Sequence, residues 1–252
     1  MQANLDELNK IKVGAVSYLN TKPLLYGIKR SELINKIELI EAYPAKIAAM
    51  LLNNEIDIGL VPVAVIPKMK EHFIVTDFCI GAENEVASVC LFSEVPIDKI
   101  EKVLLDYQSN TSVNLAKILL KHYWKNNVVF ENAKEDFRQH INGTTAGVII
   151  GDRALQQRKI SAYVYDLATA WKNFTNLPFV FAAWVANKTL SENFVTEFNK
   201  ANSLGLQHID EIVAENNFSD YDLKKYYKEN ISYELTENKK QALQKFLNFL
   251  SE

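Results

Sequence analysis

The chain is poor in the residues that most often carry metal, redox and nucleotide chemistry. Among its 252 residues there are two cysteines, four histidines and eight glycines. Cys79 and Cys90 lie eleven positions apart inside apolar segments. That spacing matches no zinc or iron–sulfur pattern, so both are expected as buried thiols. His72, His122, His140 and His208 are scattered, and the Lys and Gln neighbours of His122 and His140 suit surface positions. No metal site is expected. The glycines form neither a Gly-x-Gly-x-x-Gly nor a Walker-type loop. A bound dinucleotide or nucleoside triphosphate is therefore not expected, and no cofactor is.

Long apolar runs are also missing: no stretch approaches the roughly 18 residues of a membrane span. Net charge is −3, which gives no general pull toward nucleic acid or an anionic membrane. Neither is expected as a partner, and an anionic ligand must be held by local groups. Fixed-period repeats and low-complexity linkers do not occur. Met1–Glu7 carries acids where a secretion signal has a basic region and then an apolar run. A cytoplasmic location is the expectation.

What is there is alternation. The composition, 48% hydrophobic and 23% charged, is that of a globular protein with one large domain or two of ordinary size. Strands are expected at Lys12–Ser17, Ile37–Ala42 and Ile56–Val61, with helices opening at Pro23 and Pro44 between them. This βαβαβ pattern implies a parallel sheet with helices on its faces. A second alternation follows, with strands at Lys102–Leu105, Val128–Phe130, Ala146–Ile150 and Ala162–Tyr165. Helices are expected at Ser112–Tyr123, Ala133–Ile141 and Asp152–Gln157, and everything after Phe179–Ala186 reads as helical. Val86–Phe92 and Phe179–Ala186 bracket the middle block as the natural crossings between two α/β lobes. The expected lobes are residues 1–88 with 184–252, and residues 89–183, with a ligand cleft between them.

Three segments carry candidate chemistry. Val13–Val16 is a chargeless run that stops in the polar cluster Ser17, Tyr18, Asn20, Thr21 and Lys22, before Pro23 opens a helix. That puts neutral donors and helix N–H groups at the carboxyl end of a central strand, where open α/β sheets bind small ligands. Ser109-Asn110-Thr111-Ser112 precedes an apolar helix. One such residue suffices as a cap, and four make a segment suited to a carboxylate, with Thr111 and Ser112 the best donors. Gly151-Asp152-Arg153 follows an apolar strand. Gly151 allows close approach of backbone or ligand, Asp152 is expected to cap the next helix and to face the cleft, and Arg153, suited equally to a carboxylate clamp and to a solvated helix face, is left out of the site. Tyr123, Trp124, Trp171, Trp184 and the Phe179/Phe181 pair are expected as core packing, and of these Trp184 and Phe181, on a crossing strand, are the best placed to touch a ring-shaped ligand.

The motif Ser17-Tyr-Leu-Asn-Thr-Lys-Pro23 resembles the opening motif of the MqnA-type chorismate dehydratases of the futalosine route to menaquinone. Further matches follow in the family's order: Asp57–Pro62, Ser88–Ser93, Asp106–Ser112, Gly151–Leu155, Leu177–Ala182 and Trp184. Together they run over about two-thirds of the chain. The resemblance implies an α/β, two-lobed fold of the type II periplasmic-binding-protein kind, with two crossing strands and an interdomain ligand cleft. It also implies a hydro-lyase that needs no cofactor and acts on a small dianion, chorismate. Asn20 and Ser88 take the family's catalytic positions, the resemblance adds weight to Ser109, Asn110, Thr111 and Ser112 as a carboxylate-binding segment, and Tyr18, Thr21, Gly151 and Asp152 are the further expected substrate-binding residues. The sister enzyme acting on cyclic de-hypoxanthine futalosine, with a Pro-Asn-Asp-Thr-type motif at its first strand, fits Tyr18–Pro23 less well. A solute-binding protein of the same fold is the non-catalytic alternative.

Overall fold

The computed structural model describes residues 10–107 and 109–251. Two sheets organise them. The first begins with β1 (Ile11–Val16), whose last four residues are buried. Helix α1 (Lys22–Arg30) follows, with Pro23 in its first turn where no N–H is needed. Strand β2 (Ile37–Ala42), helix α2 (Pro44–Leu52), opened by Pro44, and the wholly buried β3 (Ile58–Pro62) complete the parallel unit. Strand β4 (Phe73–Ala82) then runs antiparallel to a later strand.

The second sheet starts at β5 (Val89–Ser93) and adds β6 (Lys102–Leu105). Helix α3 (Asn110–Ile118) leads through a wider turn, Leu119–Tyr123, toward β7 (Val129–Asn132). Strand β8 (Thr145–Ile150), helix α4 (Asp152–Gln157) and strand β9 (Tyr163–Asp166) close this sheet. Helix α5 (Leu167–Thr175) returns the chain to the first sheet at β10 (Phe179–Ala186). The remainder is α6 (Glu192–Leu206), α7 (Ile209–Glu215), the short α8 (Leu223–Lys225) with the turn Tyr226–Asn230, strand β11 (Ser232–Glu234) and α9 (Glu237–Phe249).

The strand orders are β11-β4-β10-β3-β1-β2 and β7-β6-β8-β5-β9. β1 is parallel to β2 and β3, and β6 to β7 and β8, whereas β10, β4, β11 and β5 pair antiparallel. The chain passes between the sheets twice, through residues 83–88 just ahead of β5 and through α5 just ahead of β10. Helices α1 and α6 touch backbone to backbone. A Cβ on Gly27 would lie 1.9 Å from the Ala201 carbonyl oxygen, and one on Gly205 1.7 Å from that of Pro23, so both positions must be glycine.

Three expectations are corrected. Ala133–Ile141 is not a helix and holds only the turn Arg138–His140. Phe137 and Ile141 are spaced like one helical face because both cover Gly147 of β8, where a Cβ would meet each of them at 2.7 Å. The C-terminal block is not all helical, since β11 adds the outermost strand of the first sheet. Strand β4 was not expected at all: Thr76 and Asp77 interrupt its apolar run where the β4–β10 register shifts. The Thr76 hydroxyl donates to the Phe78 carbonyl at 2.9 Å, and the Asp77 N–H finds Asn199 Oδ1 at 2.9 Å.

Candidate active site

A cavity lies where the carboxyl ends of β1, β3 and β8 meet the start of α3. Tyr18, Asn20 and Thr21 line one side, Ser109, Ser112 and Gly151 another, and Leu60, Pro62, Ile80, Val89, Ile150 and Phe181 supply the apolar wall. Six of the ten expected site residues are thus brought together from both sheets. Each is placed by its own local structure. Tyr18 caps a short turn, Leu19–Thr21, after β1. The Asn20 carboxamide oxygen accepts the Thr21 hydroxyl at 3.1 Å, and its backbone carbonyl accepts the Tyr233 hydroxyl at 3.0 Å. Ser109 is the N-cap of α3. Its hydroxyl oxygen accepts the Ser112 N–H at 3.2 Å while donating to Ser112 Oγ at 3.0 Å. The N–H groups of Asn110 and Thr111 precede the first intrahelical bond and so lie outside the helix ladder.

Gly151 takes φ 63°, a conformation that side chains disfavour, and the Tyr18 ring packs where a Cβ would sit, its nearest carbon 3.3 Å away. Burial, reinforced by the Asp106 carboxylate and opposed by Arg153, pushes the Tyr18 phenol well above its ordinary value. At neutral pH it is a hydrogen-bond donor rather than a base.

The other four expected residues lie around the cavity rather than in its wall. Thr111 Oγ1 accepts the Ala64 N–H at 3.1 Å, tying α3 to the segment after β3. Asn110 is exposed on the first turn of α3. Ser88 is fully buried behind Val89, with the Tyr226 hydroxyl on its Oγ at 2.7 Å. Asp152 is not the cap of α4; Gly151 holds that position. Its carboxylate instead accepts the Leu19 N–H at 3.3 Å, a bond from one lobe to the other. Burial raises the Asp152 carboxyl, against the pull of the Leu19 N–H and Lys22.

A further correction concerns charge. Arg153 does not sit on a solvated face; its guanidinium pairs with the buried Asp106 at 2.7 Å and lies over the Tyr107 ring at 5.4 Å. Trp184 packs in the core as expected, donating to Asn202 Oδ1 at 3.0 Å, and of the two aromatics best placed for a ring only Phe181 lines the cavity. Residue-by-residue reading missed Tyr226, Tyr227 and Tyr233. Two hold site residues directly, and Tyr227 lies close enough for the Asp152 charge to raise its phenol further after burial. Tyrosines in an otherwise charged stretch with no nearby motif give no local signal of this.

The sequence profile of a family described as menaquinone biosynthesis matches residues 11–252. The chain belongs to that family. Among its relatives, a chorismate dehydratase of Thermus thermophilus is 28% identical over 190 residues, 68% of each chain. Another chorismate dehydratase, from Campylobacter jejuni, is 28% identical over 243 residues, 93% of this chain and 95% of that one. The fold is that of periplasmic binding proteins. The aliphatic sulphonate binding protein of Escherichia coli superposes with a TM-score of 0.63 at 14% identity, covering 96% of this chain and 87% of that one. Membership in the menaquinone family therefore goes with a two-lobed binding-protein fold, and the cavity described above lies between its two sheets. Among the described residues, no helix is long and apolar enough to cross a membrane.

Proposed function

We propose that this protein dehydrates chorismate to 3-[(1-carboxyvinyl)oxy]benzoate on the futalosine route to menaquinone. The observation that carries the reading is the cavity, in which neutral donors from β1's end face the start of α3. Chorismate is a dianion, and helix N–H groups with short hydroxyls suit a carboxylate without adding charge. The lost ring proton and the departing hydroxyl sit on adjacent carbons. The C–H pair becomes a ring double bond, the C–O bond breaks, and the hydroxide leaves with a proton as water. The ring becomes aromatic, which supplies the driving force.

Among the described residues, the cavity wall holds no carboxylate, imidazole or amine side chain, and Tyr18 is held protonated. This supports the substrate's own enolpyruvyl carboxylate as the base. Asn20 in the wall, with Ser88 just outside it, then positions the substrate or assists the leaving hydroxyl, and Ser109 and Ser112, with the Thr111 N–H rather than its engaged hydroxyl, hold the ring carboxylate, stabilising charge as it develops. Positioning of this kind contributes about 7–11 kcal/mol in favourable intramolecular cases. Tyr18, Thr21, Asn110, Gly151 and Asp152 complete the proposed contacts. Residues 1–88 with 184–252 and residues 89–183 are the proposed lobes that close on the substrate. The two free, buried thiols support a cytoplasmic setting.

The test is incubation with chorismate and mass spectrometry for a product lighter by one water. Formation in proportion to protein is expected, with turnover lost in the Asn20→Ala, Ser88→Ala double variant. Unchanged chorismate, with thermal stabilisation by some other small anion, would turn the assignment toward a binding protein or the sister enzyme.

A further inference from the structure

The Tyr226 hydroxyl donates to Ser88 Oγ at 2.7 Å across 138 positions of sequence, and neither side chain reaches solvent. Ser88 ends the connection from β4 to β5. Its N–H donates to the Val86 carbonyl at 2.8 Å, and its own carbonyl accepts the Gly151 N–H at 2.8 Å. Both backbone groups are fixed, and Val89 and Gly151, attached to Ser88 by a covalent and a hydrogen bond, line the cavity. What stays free is rotation of the serine hydroxyl.

A phenol donating into Oγ occupies one lone pair and turns the serine's own hydrogen away from itself. It also polarises that hydrogen, as chained hydrogen bonds do. Burial holds the Tyr226 phenol far above its ordinary value, so the donor keeps its proton across the working pH range. The connection carrying Ser88 is held from other sides as well. Asp166 accepts the Val86 and Ala87 N–H groups at 3.2 and 2.8 Å, and Asn230 donates to the Glu85 carbonyl at 3.2 Å. Tyr226 itself is anchored by its N–H to the Asp222 carbonyl at 2.9 Å. A rigid donor thus meets a rigid acceptor.

We propose that Tyr226 is a positioning residue for turnover, acting through Ser88 by fixing the direction of its hydroxyl. The proposal rests on the reading that Ser88 contributes to dehydration. It is tested by steady-state kinetics on chorismate for the wild type, Tyr226→Phe, Ser88→Ala and the double variant, with melting temperatures for each. Tyr226→Phe is expected to lower kcat about 10-fold with KM within about 2-fold, the scale seen when a supporting hydrogen-bond partner is removed. In the Ser88→Ala background the same change is expected to do nothing more. A Tyr226→Phe effect that persists in full beside Ser88→Ala overturns the proposal, as does a change confined to KM. Near-normal turnover by Ser88→Ala overturns the role of Ser88 instead, and no dehydration by the wild type overturns the substrate. Should Tyr226→Phe fail to fold, a fluorotyrosine at 226 keeps the shape and strengthens the donor. It must then change kcat in the wild type and leave it unchanged in Ser88→Ala.

Discussion

The front and the back of the site are built in opposite ways. The front, Tyr18–Thr21 with Ser109–Ser112 and Gly151, sits at strand ends and a helix start, and its shape is set mainly by a turn and a cap formed within a few residues. The back, Tyr226 and Tyr233, reaches the site from a segment with no motif of its own, through bonds spanning 138 and 213 positions. Local turns give the front its shape, and distant residues add only a few bonds to it, to Leu19, Asn20, Thr111 and Gly151. The back is only as firm as the packing of the C-terminal segment. The front should therefore fail in activity when disturbed and the back in stability, apart from the Tyr226 hydroxyl, whose bond to Ser88 ties the back to turnover.

The largest expected effect tests the front. Gly151→Val puts a branched side chain at φ 63° against the Tyr18 ring. Strain of about 1–3 kcal/mol at that residue and displacement of Tyr18 are expected to lower kcat/KM about 100-fold. A mild loss, accompanied by a large fall in melting temperature, would erase the distinction between front and back. The next tests the back. Lys239 is wholly buried, with Nζ donating to the Ser232 and Glu234 carbonyls at 3.1 and 2.6 Å, so it anchors the strand that carries Tyr233. Lys239→Met keeps the stem and orphans those carbonyls. A loss of about 2 kcal/mol in denaturant unfolding is expected, with kcat of the folded fraction little changed.

The smallest effect sits where front and back meet. Burial raises the Asp152 carboxyl above its ordinary 3.8, so the native state holds this proton more tightly than the unfolded chain. The linkage sign follows: the contribution of this group to stability is present in acid and falls as pH rises from that value through the native one. Asp152→Asn keeps an oxygen for the Leu19 N–H and removes the titration. Denaturation curves across the acidic range should show a weaker decline with rising pH than the wild type. An unaltered slope would mean that Asp166, raised by burial in the same direction, carries the dependence alone.

How much was legible follows the same division. Val13–Val16, with a polar cluster and Pro23 behind it, announces a strand end, a turn and a helix from neighbouring residues alone, and β1, its turn and α1 form there. Ser109–Ser112 is likewise a local signal, and its cap bond is a local bond. Asp152 has the composition of a cap, yet its partner is a backbone N–H 133 positions away, which no local pattern encodes. Arg153 looks like a surface arginine until the buried Asp106 is brought beside it. Lys239 sits among charged residues on its helix and is nonetheless enclosed by β11. Phe137 and Ile141 mimic a helical stripe because one glycine on another strand accepts them both.

The strand order has a consequence for how the chain is made. Among the described residues β4 pairs with β10 and β11, and with no strand that precedes it. During synthesis its backbone groups therefore wait, unmatched, for a partner about a hundred residues downstream. Meanwhile β3 keeps one open flank, and the second sheet can close on itself first. The nascent protein is thus expected to complete its middle before its beginning. Chaperone dependence, or aggregation of truncated products, should ease once residues 179–186 have left the ribosome.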